Sequence, residues 1–326
     1  MTTTPDHNRK RKVGFVAPSG YLPDPQTIDR AAEFFSARGW LVQTGETCFE
    51  RHQRFAGTDE LRASELQRFC TDRSLDLVIS ARGGYGLSRI LHRLDYAAIK
   101  KADRIIVGYS DFTAFNLAYL AVAGGVSFQG PSAGDFGAAT PDAFTIEHFF
   151  RAIESVHHGA AHVIEFDAAA PAIETRTPLA GTLWGGNLAM VCALVGTPYL
   201  PRIRGGILFL EDVNEPAYRI ERMLYQLLHA GVLQRQKAIV LGSFDPVTPM
   251  PNDNGFDVPV VIDQVRVATG VPIVVGAPFG HVPRKVTLPV GGRAVLKVEE
   301  GRARLTVSVA RERVKASSNL RALRTW

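Results

Sequence analysis

A serine stands where an apolar run gives way to a helical pattern, in the segment 107–112 (VGYSDF). A serine in a sharp turn between a strand and a helix is raised above the sheet edge, and the first N–H groups of the helix face the group that it attacks. The Gly-x-Ser-x-Gly pattern of the α/β-hydrolases is absent, because Phe112 takes the place of the second glycine. Ser110 is therefore a candidate nucleophile. A plain helix N-cap at Ser110 or Asp111 stays an alternative, since both residue types are favoured there.

A serine hydroxyl is a poor nucleophile at neutral pH unless a base lies next to it. Nine histidines are available, and His281 differs from the others because it follows an apolar run at 271–275 and a turn at 277–280. Open α/β sheets place their functional side chains in the loops at the carboxyl ends of the strands. His281 is the candidate base, and a loop histidine that merely faces water is the alternative.

The third requirement is a carboxylate that fixes the histidine tautomer and stabilises the imidazolium. The apolar run 206–210 ends in Glu211 and Asp212, with Glu215 close behind. Glu211 is nearest the predicted strand, so its side chain is the best held of the three. The alternative is that these acids cap a helix that begins near Pro216, which describes Asp212 or Glu215 well.

A glycine-rich segment at 82–86 (RGGYG) also follows a predicted strand and is expected to open a helix. Glycines allow a close backbone approach and can form an anion-binding concavity. A Walker phosphate loop is excluded because no Gly-Lys-Ser/Thr follows, and the dinucleotide pattern is missing as well. An oxyanion-hole donor is the use that fits beside a serine nucleophile.

The first half of the chain alternates predicted strands with predicted helices, which indicates right-handed crossovers and a parallel sheet covered on both faces. The predicted strands lie at 13–17, from about 40, at 75–80 and at 104–108, and the predicted helices at 27–38, 61–70 and 112–122.

The second half begins after a stretch rich in Ala, Pro and Thr at about 160–178. Strands are predicted at 206–210, 237–241 and 271–275, an amphipathic helix around 220–228, and antiparallel strands within 286–309. We predict an N-terminal α/β domain at 1–165, a linker at 166–180 and a C-terminal domain at 181–326.

Composition argues against several classes of protein. Hydrophobic residues make up 46% and charged residues 21% of the 326 residues, which is typical of a globular protein. The net charge of +5 comes from scattered basic residues and from basic runs at the two ends, so no nucleic-acid partner is expected. The tripeptide 135–137 (DFG) occurs in kinases, but no other kinase element accompanies it, and we treat it as chance.

The three cysteines lie far apart and are expected to be buried thiols in a reducing compartment. The apolar run at 13–17 is cut short by Pro18, so it is too short for a signal peptide. No apolar stretch is long enough to cross a membrane. We therefore expect a cytoplasmic protein with no membrane partner.

Taken together, the motifs resemble the LD-carboxypeptidases, also called muramoyltetrapeptide carboxypeptidases, a serine peptidase family that includes the microcin C immunity peptidases. The resemblance covers nearly all of the chain from residue 13 to about 309. The matching segments are 17–20 (APSG), 54–58 (RFAGT), 82–86 (RGGYG), 108–114 (GYSDFTA), 181–188 (GTLWGGNL), 210–212 (LED), 222–224 (RML), 280–281 (GH) and 287–291 (TLPVG).

The resemblance implies Ser110 as nucleophile, His281 as general base and Glu211 as the acid that orients it. It also implies oxyanion donors from the backbone N–H groups of Asp111 and of a glycine in the Arg82 loop, which we place at Gly84. The implied fold is an α/β protein with an N-terminal parallel-sheet (Rossmann-like) domain and a smaller β-rich C-terminal domain. A homodimer is implied, and neither a cofactor nor a metal is required.

The implied reaction releases terminal D-alanine from murein tetrapeptide during cell-wall recycling. A carboxypeptidase must hold a terminal carboxylate, for which a bidentate arginine is suited, and Arg82 and Arg284 are the candidates. One alternative is a related peptidase that cleaves an aminoacyl nucleotide or another acyl amide on the same triad. A non-catalytic binding protein is a second alternative, against which the presence of all three triad residues argues.

Overall fold

The computed structural model describes residues 9–169 and 174–309. A six-stranded sheet contains the strands of the first half of the chain and one strand from near its end. Strands β1 to β5 pair in parallel, and β11 is antiparallel to β5. The sheet order is β11-β5-β4-β3-β1-β2. The strands are β1 (Lys12–Val16), β2 (Leu41–Thr44), β3 (Leu77–Ser80), β4 (Ile105–Val107), β5 (Ser127–Gln129) and β11 (Leu288–Val290).

Helices cover both faces of this sheet, so its central strands β3 and β4 are buried along their whole length. Such strands are continuous apolar runs because neither face meets water. The helices are α1 (Gln26–Ser36), α2 (Asp59–Thr71), α3 (Tyr96–Ala102), α4 (Thr113–Ala123), α5 (Ala133–Phe136) and α6 (Ala143–His158). The predicted parallel α/β fold is confirmed. The order β2-β1-β3-β4-β5 is the flavodoxin-like one, in which sites form beyond the carboxyl ends of β1 and β3.

A second sheet of seven strands, in the order β10-β9-β8-β7-β12-β13-β6, contains most of the remaining chain. Its β7 to β10 portion is parallel, and β12, β13 and β6 are antiparallel. The strands are β6 (His162–Asp167), β7 (Leu179–Asn187), β8 (Ile207–Glu211), β9 (Ala238–Leu241), β10 (Ile273–Val275), β12 (Arg293–Glu299) and β13 (Arg302–Ser308). The helices are α7 (Leu188–Ala193), α8 (Ala217–His229) and α9 (Val258–Thr269).

Two local predictions differ from the structure. The helix expected to open at Gly83 does not form there, because Gly84 and Gly86 have φ values of +101° and +142°, which no α-helix allows. Short 3₁₀ turns follow at Leu87–Arg89 and Leu91–Arg93, and α3 begins only at Tyr96. Strand β6 lies where the pattern indicated no regular structure, and it pairs with β13.

Strand pairing in the two sheets does not follow the order of the chain. Strand β6 belongs to the second sheet, whereas β11, far along the chain, pairs with β5 in the first. The limits at 165 and 181 therefore stay a prediction. Part of the predicted linker, 170–173, lies outside the described residues, as do 1–8 and the basic tail from 310 onward. The three cysteines are buried and free, as expected.

Two buried histidines connect α6 with β6. His148 Nδ1 lies 3.1 Å from His162 Nε2, and the residues are only 8% and 5% exposed. Burial, reinforced by the neighbouring His148, lowers the pKa of His162 to about 4. Burial also lowers the pKa of His148, and the His162 ring is neutral at physiological pH.

We expect the free energy of unfolding to fall as the pH drops from about 6.5 to about 4. In this window the unfolded chain binds a proton at His162 that the folded chain does not, with a slope of up to about 1.4 kcal/mol per pH unit. Chemical denaturation of His162→Gln should show a flatter profile than the wild type. The exposed His92→Gln should keep the wild-type slope. An unchanged slope in His162→Gln would contradict this assignment.

Candidate active site

Ser110 lies in a strained turn at the carboxyl end of β4. Its φ of +64° is in the left-handed region, which residues other than glycine seldom adopt. Gly108 makes the turn possible, since a methyl group there would lie 2.6 Å from the Phe112 ring and 2.8 Å from Ser80 Cβ. Neither Ser110 nor Asp111 caps α4, whose N-cap position is Phe112. The turn thus has the geometry of a nucleophile elbow without its usual glycine pattern.

His281 joins this serine to an acid from the second sheet. Its Nε2 lies 2.9 Å from Ser110 Oγ and its Nδ1 lies 2.8 Å from Glu211 Oε2. Because a carboxylate only accepts hydrogen bonds, Nδ1 carries the proton and Nε2 is left to accept from the serine hydroxyl. The structure therefore brings together the three predicted side chains, in the order that makes imidazole a base.

Gly280 allows the imidazole and the carboxylate to approach each other. Its φ is +124°, and a methyl group there would lie 3.2 Å from both Cβ and Oε2 of Glu211. Glu211 is 1% exposed, and its Oε1 has no hydrogen-bond partner among the residues that the structure describes. The buried carboxylate thus depends on His281 for its hydrogen bonding within this part of the chain.

The neighbouring acids have other partners. Asp212 accepts from Asn187 Nδ2 at 2.9 Å and from the Ala189 N–H at 2.8 Å, so it holds the first turn of α7. Burial raises the pKa of Asp212. Glu215 pairs with Arg219 on α8. Asp212 therefore does not cap the helix that begins near Pro216, as the alternative expected, but binds the first turn of α7.

The glycine loop lies directly against the serine. A methyl group at Gly83 would lie 2.5 Å from Ser110 Cβ and 2.6 Å from its Oγ. The Gly83 carbonyl accepts from the Gly20 N–H at 3.1 Å. Because C=O and N–H point in opposite directions across a trans peptide, the Gly84 N–H points away from Gly20. The loop thus carries a backbone N–H that faces away from Gly20, next to the residue that contacts Ser110.

Two buried charged residues hold this loop in place. Asp111 accepts from Ser19 Oγ at 2.7 Å and from the Leu87 N–H at 2.9 Å, and burial raises its pKa. Arg62, fully buried on α2, donates to the carbonyls of Pro18 and Gly86 at 2.5 and 3.1 Å.

Arg62 was not predicted as a functional residue. One feature of the sequence could have indicated it: Arg62 is spaced from Leu66 and Phe69 so that all three share the buried face of a helix.

A cleft of about 400 Å³ opens beside His281 and is lined by Tyr109, Asp135, Thr145, Lys285 and neighbours. It adjoins a region of about 380 Å³ that is lined by Arg82, Tyr109 and Ser132. Of the two candidate arginines, Arg82 borders this adjoining region, and it also donates to the Tyr21 carbonyl at 2.5 Å. Arg284 instead places its guanidinium 3.9 Å from the centre of the Phe144 ring.

Metal ligands and membrane-spanning helices would be features of other kinds of site. Within residues 9–169 and 174–309, no group of three or more His, Cys, Asp or Glu side chains is arranged to hold a metal ion. None of the helices in the same ranges is long and apolar enough to span a lipid bilayer.

Comparison with known proteins identifies relatives along nearly the whole chain. Residues 13–130 match the LD-carboxypeptidase N-terminal domain, and residues 180–296 match the LD-carboxypeptidase C-terminal domain. A Bacillus subtilis protein named "Probable murein peptide carboxypeptidase" is 29% identical over 304 residues, which cover 93% of this chain and 94% of that protein.

Solved structures show the same similarity. The crystal structure of muramoyltetrapeptide carboxypeptidase from Oxalobacter formigenes is 40% identical, with a TM-score of 0.85, over 91% of this chain and 99% of that one. The microcin C7 self immunity protein MccF is 23% identical, with a TM-score of 0.82, over 92% and 96% of the two chains. At that identity the likeness to MccF concerns the fold alone.

The contact between Gly83 and Ser110 can be tested by adding one methyl group. We expect Gly83→Ala to slow phosphonylation of Ser110 by a fluorophosphonate at least about 100-fold, because the methyl displaces the hydroxyl from His281. Gly134→Ala is the matched control, since its methyl group would meet nothing closer than 3.4 Å. Labelling of Gly83→Ala at the wild-type rate would show that the loop does not constrain the serine.

Proposed function

The chain belongs to the LD-carboxypeptidase family and is a serine hydrolase, and on this basis we propose that Ser110, His281 and Glu211 are its catalytic triad and that it releases D-alanine from murein tetrapeptide. One observation carries the proposal. An unbroken series of hydrogen bonds, each 2.8–2.9 Å long, runs from Glu211 through His281 to Ser110.

In the proposed reaction, Ser110 Oγ attacks the carbonyl of the third residue and passes its proton to His281 Nε2. Glu211 stabilises the resulting imidazolium through the Nδ1–H bond. The imidazolium then protonates the leaving D-alanine nitrogen as the C–N bond breaks, which leaves an acyl-enzyme. Water, deprotonated by the same imidazole, hydrolyses the ester and releases a tripeptide.

The negative charge that develops on the attacked carbonyl requires nearby donors. We assign this role to the backbone N–H groups of Gly84 and Asp111. The contact between Gly83 and Ser110 supports the first assignment, and the position of Asp111 at the start of the turn before α4 supports the second. Because Arg62 and the Asp111 carboxylate hold the loop, the donors would need little rearrangement during the reaction.

The substrate assignment follows the family. The 40% identity to a muramoyltetrapeptide carboxypeptidase favours a cell-wall peptide over aminoacyl sulfamoyl nucleosides such as those bound to MccF, whose identity is 22–23%. A role in cell-wall recycling is part of this proposal. The cytoplasmic location and the homodimer expected from the sequence stay predictions.

The direct test is mass spectrometry of murein tetrapeptide incubated with the protein. The wild type should release D-alanine, and Ser110→Ala should lower kcat by about 10⁴- to 10⁶-fold, because loss of a triad serine removes the acyl-enzyme route. Ser64→Ala, an exposed serine on α2, should behave as wild type. An aspartyl sulfamoyl adenosine substrate serves as the competitor, and faster cleavage of it than of tetrapeptide would overturn the substrate assignment.

The two candidate arginines differ in position, because Arg82 lines the region next to the cleft and Arg284 does not. We expect Arg82→Met to raise KM for the tetrapeptide about 10- to 100-fold with a smaller effect on kcat, because it removes a charge-assisted bond to the terminal carboxylate. Arg284→Met is the matched comparison and should leave KM within about twofold, since its guanidinium rests on Phe144. The reverse pattern would transfer the carboxylate-binding role to Arg284.

A further inference from the structure

An ion pair between a buried lysine and a partly buried aspartate lies beside the triad and takes no direct part in the proposed reaction. Lys285 Nζ is 2.6 Å from Asp135 Oδ1, and the side chains are 4% and 21% exposed. The two residues are 150 positions apart in the chain. Asp135 belongs to the tripeptide for which the sequence indicated no function, and Lys285 comes four residues after His281.

Asp135 is an anchor whose carboxylate is held by two hydrogen bonds from Ser132. Its Oδ2 accepts from both the backbone N–H and the hydroxyl of Ser132 at 2.8 Å, which completes a capping box at the start of α5. With one oxygen occupied in this way, the carboxylate cannot rotate freely, and its second oxygen is directed at Lys285. The anchor therefore belongs to the part of the protein that surrounds the first sheet.

Lys285 belongs to the segment 281–287, which carries the candidate base. Its backbone N–H donates to Thr145 Oγ1 at 2.8 Å, and the same hydroxyl donates to the Pro283 carbonyl at 2.7 Å. The ion pair with Asp135 is a further attachment of this segment to the first sheet's helices. Unlike the Thr145 bonds, it joins two opposite charges that are largely removed from water.

The ion pair also contacts the residue that precedes the nucleophile. The ammonium of Lys285 lies 4.3 Å from the centre of the Tyr109 ring, and that ring is 5.1 Å from the ring of His281. Asp135, Lys285, Tyr109 and His281 all line the same cleft. Lys285 thus contacts the serine turn through Tyr109 and itself belongs to the histidine segment.

We propose that Asp135 and Lys285 are positioning residues that hold the His281 segment against the turn that carries Ser110. The inference rests on the proposed function, since it concerns the geometry of that triad. The Ser110–His281 bond joins the end of β4 to a segment that leaves the second sheet after β10. A displacement of about 1 Å between reacting groups can lower a rate about 100-fold.

Three variants test the pair: Asp135→Asn, Lys285→Met and the double variant. Asp135→Asn keeps an oxygen for Ser132 but removes the charge, and Lys285→Met keeps the length of the side chain. Each single variant should lower kcat for the tetrapeptide about 10- to 100-fold and leave KM within about twofold. The double variant should be about as slow as either single variant, because the same link is lost in each.

A purely structural role predicts a different result for the double variant. Each single variant leaves a buried charge without its partner, whereas the double variant removes both charges and should recover thermal stability. If the pair positions the triad, the rate stays low although the melting temperature recovers. If the rate recovers together with the melting temperature, the positioning role is overturned. Arg93→Met, which breaks the exposed pair with Glu60, should leave kcat unchanged.

Phosphonylation of Ser110 by a fluorophosphonate separates this inference from the substrate assignment. The labelling rate should fall about 10- to 100-fold in all three pair variants, whichever peptide is the substrate. If the wild type is labelled but leaves tetrapeptide intact, the proposed function fails and the labelling rates still decide the positioning role. Labelling of any folded pair variant at the wild-type rate, or a rise in KM with unchanged kcat, overturns the inference.

Discussion

Two hydrogen bonds to one imidazole set the main constraint on this structure. His281 must stay within 3 Å of both Ser110 and Glu211, and these side chains come from the ends of strands in different sheets. A side-chain hydrogen bond weakens steeply outside a narrow range of distance and angle. The two sheets can therefore shift very little relative to each other without loss of the arrangement.

The fold meets this constraint with bonds that join the sheets near the triad. Thr113 Oγ1 accepts from Gln129 Nε2 at 2.8 Å and from the Asn187 N–H at 3.1 Å, which links α4 and β5 to the end of β7. The chain then returns to the first sheet as β11 only a few residues after His281. The segment that carries the histidine is thus tied to the second sheet before it and to the first sheet after it.

Close approach of backbone to side chains is the second recurring feature of the site. Gly83 leaves room for the serine hydroxyl, and Gly280 leaves room for the glutamate, so a methyl group at either position would intrude on a triad member. Charged side chains surround this core of the site with little exposure to water, among them Arg62 and Asp111. Burial of such groups costs desolvation energy, which their hydrogen bonds to the loops offset only in part, since Arg62 Nε and Asp111 Oδ1 have no hydrogen-bond partner among the described residues. The hydrogen bonds that these buried side chains make also connect the loops around the triad.

The sequence by itself determined the class of fold and the three residues proposed for the triad. Apolar runs that alternate with helical patterns are local signals, and they identified the parallel sheet. Polar residues that directly follow such strands lie at the carboxyl edge of their own sheet. Ser110 and Glu211 each follow or end a strand in this way, which is why they could be selected. The resemblance of the motifs to a known family added the roles.

Only the tertiary structure decided which side chains meet. His281 and Ser110 are 171 positions apart, and their contact depends on sheet order and loop path, which no local periodicity encodes. For the same reason the sequence left Arg82 and Arg284 equivalent, placed no strand at β6, and indicated nothing for Arg62 or for the pair of Asp135 and Lys285. Long-range pairing of buried charges requires that their segments already be packed together. The evidence for such a pair therefore lies in the folded structure and not in the spacing of residues along the chain.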